Sequence, residues 1–280
     1  MPHFYRYGED GETEEEFASR CADNLDKLIV AEGPDTVAAF FAEPVMGAGG
    51  VIVPPETYFE KIQAVLKKHD VLMVADEVIC GFGRTGEMWG CQTFGITPDI
   101  LTCAKALTSG YIPIAAVMIN QGVFDAIAPQ TEEIGTFGHG FTYSGHPVPA
   151  AVALETLKIY DEIGLVDRVK QISAPFLTRL HGFADHPLIG ETMGVGLVGA
   201  VEMVADKTTG APLDPVGKAG GYLVARAQAH GLIVRQLGDR IAFSPPLIIS
   251  TAEIETMFDR FAAALDETAD WLAEGAPPIS

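Results

Sequence analysis

A chain of 280 residues, 48% of them hydrophobic and 20% charged, has room for one large domain or two ordinary ones with a sizeable buried core. Its formal net charge of -20 repels polyanions, which makes nucleic acid and acidic membrane faces poor partners. The opening stretch MPHFYRYGEDGE has no apolar signal region and no apolar run of about 18 residues follows, so the expectation is a soluble, cytoplasmic protein.

The acidic residues Glu9, Asp10, Glu12, Glu14, Glu15 and Glu16 crowd the first segment and read as a solvated face. Thr13 with Glu16 then forms a capping-box start, and Phe17, Leu25, Leu28 and Ile29 follow as a helical stripe. A short apolar run at 37–42 ends at Glu43-Pro44. A second helix fits 56–68, with Phe59, Ile62, Val65 and Leu66 on one face. The runs at 71–75, 100–103 and 112–119 are apolar and uninterrupted. With helices between them, they predict a parallel sheet covered on both faces.

A helix over 147–162 follows, after which the pattern changes. The stretches 188–204 and 231–249 read as strand-rich, with a helix around 216–230 between them. The last helix opens with a second capping box, Ser250 and Glu253. It carries Ile254, Met257, Phe258, Phe261, Leu265 and Leu272 at near-helical spacing and stops before Gly275 and Pro277-Pro278. The fold class expected is α/β: a larger, mostly parallel unit over 1–170, then a smaller α+β unit over 171–280. Cys21, Cys80, Cys91 and Cys103 form no Cys-x-x-Cys pair and read as buried or free thiols in a reducing compartment.

Asp76 and Glu77 close a buried strand, and Lys105 lies just past the next one, 29 residues on. Adjacent parallel strands bring Asp76 and Lys105 to one edge of the sheet, where open α/β folds bind ligands. A lysine there can form a Schiff base, and a carboxylate beside it can keep a pyridine nitrogen protonated. A plain salt bridge between the two is an equally good reading of these residues alone.

The segment from Val74 through Gly81-Phe82-Gly83-Arg84-Thr85-Gly86 to Lys105-Ala106-Leu107-Thr108-Ser109-Gly110 resembles the signature of the class III aminotransferases. The blocks Phe41 to Gly50 and Gly140 to Pro147 resemble the same family, and the resemblance covers nearly the whole chain. It implies a fold-type I pyridoxal-phosphate transferase with Lys105 as the cofactor lysine and proton shuttle, Asp76 on the pyridinium nitrogen and Val78 against the ring. Phe141 and Thr142 correspond to residues that reach the cofactor phosphate from a neighbouring subunit, which implies a homodimer. Arg235 corresponds to the arginine that binds a substrate carboxylate in the amine:pyruvate branch. Ornithine- and 4-aminobutyrate-type relatives place an arginine before the Phe-x-Pro-Pro block instead, paired with the residue matching Glu43. Ala242 stands there in this chain, which favours the amine:pyruvate branch and leaves Glu43, a substrate-side candidate, without that partner.

Other patterns carry less. Gly194-Val-Gly196-Leu-Val-Gly199 fits a dinucleotide fingerprint by letter but runs into a strand, so it reads as close backbone packing. His139 and His146 lack an acidic partner at metal spacing, and no metal site is expected. Ser144 lies outside a nucleophile-elbow frame. Family members carry a further N-terminal portion that grips the phosphate and stacks on the ring, and no equivalent stands in this sequence. The reaction implied is transfer of an amino group from a primary amine or ω-amino acid to a pyruvate-like α-keto acid. The alternatives are a non-catalytic remnant, one chain of a split transaminase that binds a full-length partner, or a cofactor-dependent mutase or decarboxylase.

Overall fold

The computed structural model describes residues 2–276; Met1 and the Pro277-Pro278 pair expected after the last helix lie outside the described residues. After a single turn α1 (Phe4–Tyr7), helix α2 (Glu14–Glu32) begins where the sequence places it. Thr13 Oγ1 accepts from the Glu16 N–H at 3.2 Å, and the Glu16 carboxylate accepts from the Thr13 N–H at 2.8 Å. Strand β1 (Ala39–Ala42), helix α3 (Tyr58–Lys68), strand β2 (Leu72–Asp76), the short helix α4 (Gly90–Phe94) and strand β3 (Ile100–Cys103) follow in alternation. Strand β4 (Ala116–Ile119) completes the first sheet, ordered β1-β2-β3-β4.

β1, β2 and β3 are parallel, but β4 runs antiparallel to β3. The sheet is thus mostly parallel, as expected, with its last strand the exception. A parallel crossover needs a dozen or more residues, usually with a helix, whereas the link from Cys103 to Ala116 holds only a 3-10 turn over Lys105–Thr108. Cover on both faces fails at the margins: Phe41 on β1 and Val117 on β4 are exposed, and only alternate residues of β3, Leu101 and Cys103, are buried. Helices α2 and α3 and a later helix over Pro147–Glu162 supply Ala18, Ile29, Phe59, Ile62, Leu66 and Ala153 to the core around Met73, Ala75, Leu101 and Cys103.

Helix α5 (Gln121–Ile134) buries no residue in this chain, and α6 (Pro147–Glu162) has the bounds expected from the sequence. Helix α7 (Leu165–Gly182) then opens the second core with Leu165, Val169, Ile172, Phe176 and Leu180. The second sheet is antiparallel, ordered β5-β6-β8-β7, from β5 (Ile189–Val195), β6 (Val198–Met203), β7 (Arg235–Leu237) and β8 (Arg240–Phe243). Helices α8 (Lys218–Ala229) and α9 (Thr251–Ala273) pack on it. Phe176, Phe258 and Phe261 are almost wholly buried there, each contributing about 1.5–3 kcal/mol of transfer free energy.

Two devices tie the sheets together. A small apolar cluster joins Val45, Val51 and Cys80 to Val198, Ala200 and Ala242. Around it, Arg240 of β8 donates to the Gly50 carbonyl at 2.5 Å and to the Glu191 and Glu202 carboxylates at 2.5 and 2.8 Å. His3 reaches Glu191 at 2.9 Å and Arg6 pairs with Glu202. His3, Glu191 and Glu202 offer three ligand atoms within 4.8 Å of one another, but two guanidinium groups already balance both carboxylates, so the group is an ion-pair network.

All four cysteines are free, three of them buried. Burial pushes the Cys80 thiol up to about 12, which makes it inert. Among the described residues no helix is long and apolar enough to cross a membrane.

Candidate active site

Because β1, β2 and β3 are parallel, their C-terminal ends share one edge of the sheet. Register pairs Ala42 with Ala75 and Asp76 with Thr102, so Glu43, Asp76 and Lys105 all leave the sheet at that edge. The two acids that close β2 then part. Glu77 is fully buried, and its carboxylate accepts the Gly90 and Cys91 N–H groups at 2.9 and 2.6 Å, capping the start of α4. Asp76 is half-buried; its Oδ1 accepts from the Val78 N–H at 3.0 Å and from the Thr102 hydroxyl at 3.3 Å. Its Oδ2 has no hydrogen-bond partner among the described residues.

Lys105 follows β3 with φ +45°, an unusual conformation for a side chain bearing a Cβ. Its backbone is held by a short 3-10 turn in which Thr108 is buried and donates to the Ile112 carbonyl at 2.6 Å. The ammonium is exposed and makes no ion pair among the described residues, so the plain salt bridge with Asp76 does not form. Between the two strand ends runs the turn Gly81–Gly86, in which Phe82, Gly83 and Gly86 all have positive φ. Its Arg84 donates to the carbonyls of Leu197 at 3.0 Å and Pro245 at 2.7 Å, fastening the turn to the second sheet. Burial without a carboxylate partner draws the Arg84 guanidinium down to about 10.

The groove between the two sheets is a cleft of about 1020 Å³. Lys105, Arg84 and Arg235 line it together with Val78, Tyr160 and Ala242, and no carboxylate does among the described residues. In a chain of net charge -20, this is a local field that favours anions. Arg235 opens β7, is exposed, and has no ion pair or side-chain hydrogen bond among the described residues. Its cross-strand partner is Ala242. The two alternative arginine positions weighed from sequence are thus directly opposite each other on one sheet, about 5 Å apart. Ala242 is buried against Val45 and Val198.

Glu43 lies outside the cleft wall, its carboxylate accepting the Gly47 N–H at 2.9 Å while Gly47 itself lines the cleft. Phe141 and Thr142 are exposed on the loop between α5 and α6 and do not reach this chain's cleft; the Phe141 N–H donates to Ser144 Oγ at 2.8 Å. The structure therefore brings Lys105, Val78 and Arg235 into one cleft with Asp76 at its edge, and leaves Phe141 and Thr142 apart. The sequence reading passed over Tyr160, whose hydroxyl donates to the Ala106 carbonyl at 2.7 Å. A single aromatic on a helix carries no motif. It also passed over the division of labour between Asp76 and Glu77, which only burial reveals.

The profile of the family described as Aminotransferase class-III matches residues 1–265. The chain belongs to the class III aminotransferase family. Members of this family are pyridoxal-phosphate enzymes. Among curated relatives, γ-aminobutyrate transaminase 3, chloroplastic, of Solanum lycopersicum is 53% identical over 98% of this chain and 52% of its own length. γ-Aminobutyrate transaminase 1, mitochondrial, of Oryza sativa subsp. indica is 50% identical over 98% of this chain and 53% of its own. The ω-transaminase from Pseudomonas jessenii in complex with PMP superposes with a TM-score of 0.95 at 54% identity, covering 99% of this chain and 61% of that one. The chain thus spans about half the length of the curated relatives it matches.

The donor chemistry fits the family's cofactor. A primary amine that makes no ion pair among the described residues lines the cleft at Lys105, and a carboxylate oxygen without a partner among them stands at the neighbouring strand end at Asp76. The first can bond an aldehyde carbon and the second can accept from a pyridinium N–H.

Proposed function

We propose that the chain acts in transamination between a primary amine or ω-amino acid and a pyruvate-like α-keto acid, with Lys105 holding pyridoxal phosphate covalently. The observation that carries this reading is the pair of groups without partners among the described residues on one sheet edge, the Lys105 amine and Asp76 Oδ2, beside a cleft that Arg235 also lines. Bound pyridoxal phosphate supplies the electron sink that makes a Cα proton removable. Asp76 holds the proton on the pyridine nitrogen, its Oδ1 kept in place by Val78 and Thr102. Val78 would pack beside the ring, and the Lys105 amine would move the proton at the substrate carbon.

Arg235 takes the carboxylate of the keto acid or of the ω-amino acid through paired N–H donors. Its position opposite Ala242 leaves the guanidinium free to turn out for an apolar amine, because no carboxylate among the described residues holds it. The γ-aminobutyrate of the curated relatives' names is itself an ω-amino acid and falls within this substrate class. Glu43, tied to Gly47, shapes the cleft wall rather than binding substrate directly. We place the division between a larger and a smaller unit close to the α6–α7 turn, near the 1–170 and 171–280 boundary. A homodimer, in which Phe141 and Thr142 of each copy reach the cofactor phosphate of the other, accounts for their exposure here. Four free thiols suit a reducing compartment, the cytoplasm in the simplest case.

The test is Arg235→Ala with separate kinetics for each substrate. The KM for pyruvate rises about 10- to 100-fold, the scale of one charge-assisted bidentate contact, while that for an apolar amine such as 1-phenylethylamine changes less than about threefold. An unchanged pyruvate KM would remove Arg235 from the substrate site.

A further inference from the structure

Lys105 sits in a backbone conformation that it does not prefer. At φ +45° a residue with a Cβ is strained, and such a conformation persists only where surrounding contacts determine it. The contacts within the turn are few: Leu107 N–H to the Ala104 carbonyl at 3.0 Å, Ser109 N–H to the Ala106 carbonyl at 3.1 Å, and Gly110 N–H to the Lys105 carbonyl at 3.2 Å. None of them ties the turn to another element. Leu107 packs into the first core, and among the described residues the hydrogen bond that ties the turn to another element is made by Tyr160, 54 residues from Ala106 on α6, whose hydroxyl donates to the Ala106 carbonyl at 2.7 Å. The carbonyl anchored belongs to the residue directly after the lysine.

We propose that Tyr160 is a positioning residue for Lys105: its hydroxyl pins the Ala106 carbonyl and so fixes the direction in which the lysine side chain leaves the strand end. This rests on the reading of Lys105 as the cofactor lysine. Tyr160 suits the role because it is itself fixed from both sides. Its ring packs against the core under the first sheet and against the core of the second, and it lines the cleft beside Lys105. Burial raises its hydroxyl above the ordinary phenol value, with Ser109 and Arg84 opposing in part, so it stays protonated and remains a donor.

A tyrosine that merely filled space would bond any acceptor within reach. Here the acceptor is on the residue next to the lysine, in a turn with no other hydrogen bond to another element among the described residues. Lysine reaches its target through four methylenes, so a small tilt of the Cα–Cβ bond displaces Nζ by an ångström or more. Displacements of that size cost about 100-fold in reacting geometries.

Tyr160→Phe removes one oxygen and keeps the ring, and Leu157→Ala, in the same helix and packed on the first core, is the control for loosened packing. Two readouts on the purified chain decide. In the first, pyridoxal phosphate is added at limiting concentration, borohydride fixes the adduct, and peptide mass spectrometry quantifies label on Lys105. Tyr160→Phe is expected to lower that yield about tenfold, in proportion to the misplaced amine, with a thermal midpoint within a few degrees of the parent. Leu157→Ala is expected to lower the midpoint while retaining most of the label. In the second, without cofactor, hydrogen exchange at the Ser109 amide accelerates about fivefold or more in Tyr160→Phe, as expected when a neighbouring bond to the same carbonyl is lost. Parent-level labelling and exchange in Tyr160→Phe would overturn the positioning role. Label on another lysine in the parent chain would instead overturn the Lys105 reading itself, so the two failures are distinct.

Discussion

Gly196 stands at the turn between β5 and β6 with φ +59°, and a Cβ placed on it would lie 2.3 Å from the Arg84 carbonyl oxygen and 2.5 Å from the Thr85 carbonyl carbon. Both neighbours are backbone, so in Gly196→Ala the hairpin must retreat by about 1 Å to reach ordinary contact. That retreat stretches the Leu197 N–H bond to the Arg84 carbonyl at 2.9 Å and the Arg84 guanidinium bond to the Leu197 carbonyl at 3.0 Å. A left-handed alanine costs about 1 kcal/mol, the neutral bond about 1 and the charged bond about 1.5–3, so the loss is about 3.5–5 kcal/mol. Gly95→Ala is the control: φ is +63° but no heavy atom lies within 4 Å of the added Cβ, so only the conformational cost of about 1 kcal/mol applies. Equilibrium urea unfolding of the two variants beside the parent measures both. Losses equal to within about 0.5 kcal/mol would refute the claim that this turn is a seat for backbone packing.

Asp76→Asn keeps an acceptor for Val78 and Thr102 while abolishing the charge on the other oxygen. Stability should change by less than about 1 kcal/mol, and cofactor-dependent turnover should fall at least about 100-fold, the scale of losing one matched polar group at a reacting centre. At Glu191, burial pushes the carboxyl up, but His3 and Arg240 more than offset it and leave it below the usual value. Its stabilising contribution is therefore complete above about pH 4.3 and is lost as pH falls through the lower folded value. Glu191→Gln should accordingly destabilise the chain near neutrality and flatten the fall of the urea midpoint between about pH 4.3 and pH 2 relative to the parent. An unchanged acid slope would count against the network as a source of stability.

Much of this architecture is legible in the residues because local and global signals agree. Capping boxes at Thr13 and Ser250 place the starts of α2 and α9, and β-branched apolar runs place β2 and β3. The Gly194–Gly199 stretch reads as a strand with close backbone packing; the structure makes it the turn between two strands, with Gly196 against Arg84 as the close contact. Helix α5 escaped because it buries nothing in this chain and contains Pro129, so no apolar stripe marks it. Helix α7 does carry a stripe, Leu165, Val169, Ile172, Phe176 and Leu180, but Pro175 interrupts it and it falls where a domain boundary was expected. The antiparallel direction of β4 depends on how short the link from β3 is, and strand composition does not encode direction. At the site, Asp76, Lys105 and Arg235 were legible as a motif. The buried role of Glu77 and the Tyr160 anchor depend on contacts between distant segments, which single-residue patterns do not carry.

The central claim, that Lys105 is the amine that holds pyridoxal phosphate, is tested most directly by borohydride fixation of the cofactor on the purified chain beside Lys105→Ala. The account expects an absorbance band on mixing, label on the peptide containing Lys105, and neither in the variant. Label on a different lysine, or equal labelling of Lys105→Ala, would contradict it.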